Sequence, residues 1–276
     1  MKKIILFLLL NLFNLTVFAQ KTEAIYKQAV QYHQEGNYSE AIKMYTKVIK
    51  KDSMDSYAFL NRALCYYSLN KYDNMLSDYE HALRLNPKDT VILEHIADGY
   101  SIVNNYASAI QYYKRTLSMG KTPNYSIYGS MGTCYYFSGQ NDSARKYLQM
   151  SYDLNQTYVL VLNNLAWANL DYNPNKSCML FNKAYMMDSL EVRNINNLGY
   201  SHLLCGNLDK GFELISRAEK LDPTNSFVYR NYGLYYMKKG DKIQACKNLQ
   251  KAIDLKIIEE WGEGYVSELM MYCNKK

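Results

Sequence analysis

The chain copies itself about every 34 residues, and this constrains its fold more than any other feature. "AVQYHQEGNYSEAIKMYTKVIKKDS" is answered by "ALCYYSLNKYDNMLSDYEHALRLNP", then by "IADGYSIVNNYASAIQYYKRTLSMG". The last copy reads "YGLYYMKKGDKIQACKNLQKAIDLK". Units start near residues 22, 56, 90, 125, 159, 192 and 226 and run 33 to 35 residues. A unit this short cannot bury an apolar face alone, so neighbours must stack against one another.

Within each half-unit, apolar residues recur at i, i+3, i+4 and i+7, which predicts two helices per unit. Small residues hold the eighth place of the units: Ala29, Ala63, Ala97, Gly132, Ala166, Gly199 and Gly233. They also hold most twentieth places, with Ala41, Ala109, Ala144, Ser177, Gly211 and Ala245. The twenty-fourth place is large, as in Tyr45, Tyr79, Tyr113 and Phe181. Small places let two helices approach, and the large side chain fills the space beside them. The 29 tyrosines suit half-buried surfaces between stacked elements, and only 4 prolines leave the helices unbroken.

Residues 1–19 read as a cleavable leader: "MKK", then an apolar run, then "VFA" ending at Ala19. Gln20 follows where a lipid anchor would need cysteine. The mature chain is therefore expected to be periplasmic or secreted, a monomer, with no stable membrane span after the leader is removed. Loss of Lys2 and Lys3 would lower the formal charge from +6 to +4. That charge is scattered, so no nucleic-acid partner is expected. There is no CxxC, only His33, His81, His95 and His202, and no Walker, HExxH or nucleophile-elbow pattern. The expectation is no cofactor, no metal and no catalytic residue.

The repeated units resemble tetratricopeptide repeats (TPR) over residues 22–257. The resemblance implies an all-α, right-handed superhelical solenoid of about seven helix–turn–helix units. Met75 departs from the small twentieth place, and the fifth unit has lost a residue near "DYNPN", where an irregular turn is expected. Residues 258–276 read as one C-terminal capping helix. Gly262 and Gly264 break the chain before it, Val266, Leu269, Met270 and Cys273 fall on one stripe, and Lys275 and Lys276 suit its end.

In the family, certain places of the first helix of each unit, helix A, line a concave face. Carried onto this chain, they imply a groove containing Tyr26, Tyr57, Tyr67, Glu94, Asp98, Tyr136, Asn164, Trp167, Asn197, Tyr200, Phe227, Arg230 and Asn231. Its middle would be acidic and its C-terminal third basic. Asn61, Asn164, Asn197 and Asn231 share one place, and an amide ladder there could pair with a peptide backbone.

Six cysteines are present, and two pairs share a spacing: Cys178 with Cys205, and Cys246 with Cys273. In the repeat register each pair joins the start of a helix B to the end of the next helix A. These helices are antiparallel neighbours, about 8–10 Å apart, so Cα atoms can come within disulfide reach. Both pairs are expected as disulfides; buried thiols filling apolar places are the alternative. Cys65 and Cys134 are expected as buried, inert thiols. The functional expectation is a non-enzymatic envelope scaffold holding a protein or an extended peptide, with a cell-wall or glycan-binding module as the alternative.

Overall fold

The computed structural model describes residues 20–274; the leader-like residues 1–19, and Lys275 and Lys276, lie outside these. All regular structure among the described residues is helical. The described residues divide into two compact units, one ending at Pro123 and the other starting at Asn124. The first holds α1 (20–34), α2 (Tyr38–Lys51), α3 (Ser56–Ser68), α4 (Tyr72–Leu85), α5 (Thr90–Ile102) and α6 (Tyr106–Ser118). The second holds α7 (Tyr125–Phe137), α8 (Asn141–Leu154), α9 (Val159–Asn169), α10 (Pro174–Met187), α11 (Val192–Leu204) and α12 (Leu208–Leu221). It continues through α13 (Ser226–Lys239), α14 (Lys242–Asp254), α15 (Ile257–Trp261) and α16 (Ser267–Asn274). Odd-numbered helices through α13 are the A helices.

Helix starts are written in short polar side chains. Asp55, Asp89, Asn124 and Asn225 each accept a backbone N–H from the first turn of an A helix, and Asn105, Asn173 and Asp241 do the same for B helices. The turns from A to B repeat as well. Gly36, Asn70, Asn104, Gly139, Gly206 and Gly240 all have positive φ, between 56° and 81°. The residue after each one donates its N–H to the carbonyl five residues back, as Lys71 does to Tyr66 and Asp241 to Tyr236. "DYNPN" is built differently. There α9 is shortened to 11 residues, Asn169 turns its amide onto the Leu165 carbonyl at 2.7 Å, and Pro174 opens α10.

Small residues are required where the helices cross. A Cβ on Gly132 would lie 2.6 Å from Leu148 Cγ and 2.8 Å from its backbone nitrogen. Met75 fits its place because Gly99 faces it; a Cβ there would meet Met75 Cε at 3.2 Å. In the first unit Arg62 forks onto Asp78 at 2.7 and 2.8 Å, an almost buried pair that also holds Thr46.

The C-terminal cap is more divided than a single helix. Lys256 (φ 64°) redirects the chain into the short α15, and Gly262 (φ 89°) turns it again into a 3₁₀ turn, Glu263–Tyr265, before α16. Only glycine adopts the Gly262 conformation easily. Val266 and Leu269 are buried, and Leu269 Cδ1 fills the space a Gly233 side chain would need. Cys246 on α14 and Cys273 on α16 are joined by a disulfide, with Cα atoms 5.6 Å apart.

The Cys178–Cys205 expectation needs correction, because both are free thiols here. Cys178 Sγ is engaged by Ser201, whose hydroxyl donates to it at 2.8 Å, while Cys205 sits exposed on the C-cap of α11. The two thiols nonetheless interact, and burial with this contact pushes the Cys205 thiol up to about 11. Cys65 and Cys134 are buried thiols, and burial pushes Cys65 up to about 12.

Candidate functional site

In the first unit the groove residues are already partnered. Tyr26 packs edge-on against Tyr45 and its hydroxyl takes the Asn61 amide at 2.7 Å. Tyr57 donates to Asp89 at 2.7 Å, and Tyr67 is exposed beside Tyr72. The acidic pair does not form an open charged patch. Glu94 meets Lys121 at 3.2 Å, while Asp98 is half-buried and accepts from the Tyr113 hydroxyl. Burial raises the Asp98 carboxyl above its ordinary range despite that bond.

The second unit gathers the remaining groove residues. A cavity of about 590 Å³ is lined by Tyr136, Phe137, Leu160, Asn164, Trp167, Asn197 and Phe227, closed by Trp261 and Tyr265. Phe137, Leu160 and Trp261 are 42%, 44% and 47% exposed. Arg193 also lines the cavity, and its guanidinium has no partner among the described residues. Asn231, beneath Arg230, is buried.

The packing engages both the groove's arginine and its asparagines. Arg230 is not a free cation: Nε donates to the Tyr265 carbonyl at 3.0 Å and the guanidinium lies 4.3 Å over the Tyr200 ring. Tyr200 in turn stacks on Trp167 at 5.2 Å, so Trp167, Tyr200 and Arg230 form one continuous stack. The asparagines are also turned inward. Asn164 donates to Thr133, Asn197 to Asn163 and Asn231 to Asn196, each time one unit back along the chain. This place therefore staples consecutive A helices together.

The sequence reading missed Trp261 and Tyr265, because a capping segment was expected to cover an end rather than enter a groove. It also missed Asn163, Asn194 and Asn196. The doublets Asn163–Asn164 and Asn196–Asn197, one unit apart, were the available signal.

This fold and site define a class: stacked helical hairpins with a ligand-sized recess formed by successive A helices. Residues 26–90 and 228–256 match models of the tetratricopeptide repeat. Human tetratricopeptide repeat protein 6 is 22% identical over 269 residues, covering 91% of this chain and 51% of its own. A tetratricopeptide repeat protein from Parabacteroides merdae has the same fold at a TM-score of 0.70 and 15% identity, over 93% of this chain and 100% of its own. YrrB, a TPR protein with an unusual peptide-binding site, gives a TM-score of 0.54 at 20% identity, over 67% of this chain and 95% of its own. The chain spans about half or less of the length of the first curated relatives it matches. It is a tetratricopeptide repeat protein. No helix among the described residues is long and apolar enough to cross a membrane.

Proposed function

We propose that the second unit binds an extended segment of a protein partner in its cavity, without catalysis, as a scaffold of the cell envelope. One observation carries this: half-exposed Phe137, Leu160 and Trp261 stand beside the unpartnered Arg193 in a recess of about 590 Å³. Glu191 and Glu260 line the same recess. Large apolar anchors flanked by one cation and two carboxylates suit a peptide that carries an apolar side chain between charges of both signs. The repeat family and the peptide-binding relative support the same reading. The envelope location rests on the leader-like residues 1–19, and a disulfide at Cys246–Cys273 is compatible with an oxidising compartment.

Panning a random peptide library on the full chain tests the reading, with purified cell-wall fragments as the rival ligand. Leu160→Arg, at an exposed position, should abolish peptide retention without changing helicity. Peptides retained equally by this variant would place the site elsewhere. Retention of wall glycan alone would favour the glycan-binding alternative.

A further inference from the structure

We infer that the Cys246–Cys273 disulfide positions one wall of the cavity, so that the oxidised chain holds its occupant more tightly than the reduced chain. This rests on the peptide-binding reading and adds how that same site is regulated.

The wall lies inside the span that the disulfide closes. Leu255, Glu260, Trp261 and Tyr265 line the cavity, and all four fall between Cys246 and Cys273. The other lining residues stand on α7, α9, α11 and α13 or directly before them, such as Leu160, Arg193 and Phe227. Stacking between repeats fixes those helices.

The wall is different in kind. It consists of α15, five residues long, and the three-residue 3₁₀ turn after it. Left-handed backbone at Lys256 opens it, and Gly262 divides it. Isolated helices shorter than about 12 residues are marginal in water, so the wall takes its place from its ends. Upstream, Ile257 is buried and the chain runs on from α14. Downstream, Val266 is buried and α16 follows, eight residues long with Leu269 as its buried side chain. That helix is also too short to stand alone. Cys273, in its last turn, is bonded covalently to α14.

Between these anchors the wall rests on few contacts. Trp261 and Tyr265 meet Phe227 edge-on, and the Tyr265 carbonyl accepts from Arg230. Trp261 is otherwise half-exposed. A wall that is ordered before binding spares the complex the cost of ordering it. For two large side chains, Trp261 and Tyr265, that difference is about tenfold in affinity.

A dithiol reagent reverses the constraint. The Sγ–Sγ bond breaks, Cys246 and Cys273 each gain a hydrogen as thiols, and the reagent gives up two electrons and closes to its own disulfide. Cys65, Cys134, Cys178 and Cys205 are already free thiols and are unchanged by it.

The test uses a peptide selected by panning on the oxidised full chain. It is titrated into that chain, into the chain reduced by a dithiol, and into the Cys246→Ser, Cys273→Ser variant. Both changes should weaken binding about tenfold. Amide exchange should quicken across residues 257–266 and stay slow in α9 and α11. Trp261→Ala, at a half-exposed position, should cost a similar factor in the oxidised chain. In the reduced chain it should cost little more, because the wall has already loosened. A peptide that Leu160→Arg blocks, but that both redox forms hold equally, overturns this inference alone. So do losses from reduction and from Trp261→Ala that multiply in full, since the disulfide would then act elsewhere. Lost protection in α9 and α11 on reduction overturns it too, by showing that the bond supports the whole unit. Selection of no peptide overturns the binding reading and this inference with it.

Discussion

Arg230 reaches the carbonyl oxygen of Tyr265 at 3.0 Å, tying the end of the chain to the last A helix of the repeats. Phe227, one turn earlier on α13, meets Trp261 and Tyr265 edge-on at 5.3 and 5.6 Å. One wall of the cavity is therefore held largely by one guanidinium and one ring. Arg230→Ala should destabilise the fold by about 1.5–3 kcal/mol, as expected for a charged donor, and speed amide exchange across residues 262–266. Arg230→Lys should recover little, since an ammonium cannot serve the carbonyl, Asn231 and Tyr200 in one plane. Unchanged exchange in the alanine variant would show that α16 alone holds the segment.

The Cys246–Cys273 disulfide closes a span of 27 residues. Chain-entropy arguments assign such a loop about 3–4 kcal/mol. Urea unfolding of the Cys246→Ser, Cys273→Ser double variant should show that loss, as should the parent under a strong thiol reductant. Equal midpoints for oxidised and reduced protein would mean that packing of Leu269 against Gly233 is sufficient.

Gly132 is a glycine inside a helix, where alanine should gain about 1 kcal/mol from propensity alone. The crossing with α8 reverses that. A new Cβ would press on the Leu148 backbone nitrogen, which cannot rotate away. Gly132→Ala is expected to be net destabilising, by about 1–3 kcal/mol. Denaturation finding the variant more stable would mean that α7 and α8 can separate freely.

Asp98 sets a pH dependence in the first unit. Burial raises its carboxyl in the folded state above the ordinary 3.8, so the fold takes up a proton as pH falls through that window. The contribution to stability is therefore best below 3.8 and is lost as pH rises through the folded value. Asp98→Asn keeps an acceptor for Tyr113 and should remove this slope, raising stability at neutral pH. A parent and variant with parallel pH profiles would contradict the assignment.

The helical hairpins were legible because their signals are local. A small residue at the crossing, a capping Asp or Asn, and a glycine or asparagine at each A-to-B turn all act within a few residues. "DYNPN", lacking a positive-φ residue at its turn, was recognisable as the exception for the same reason. Met75 departs from the small place in sequence; only the facing Gly99 explains why it fits.

The candidate site was legible as places and not as states. Family register located Asn164, Trp167, Asn197, Tyr200 and Arg230 on A helices, but could not say which of their atoms were already taken. Arg230 is engaged by a segment 35 residues on, and Asn197 by a residue 34 back. Cys178 turned to Ser201, while Cys246, at the same spacing from its counterpart, met Cys273. The amino-acid order alone determined an all-α stack of two-helix repeats, since helix period, caps and small crossing residues are encoded side by side. Which polar groups remain free for a partner was decided only in three dimensions, because a hydrogen bond made to a neighbouring repeat leaves no local trace.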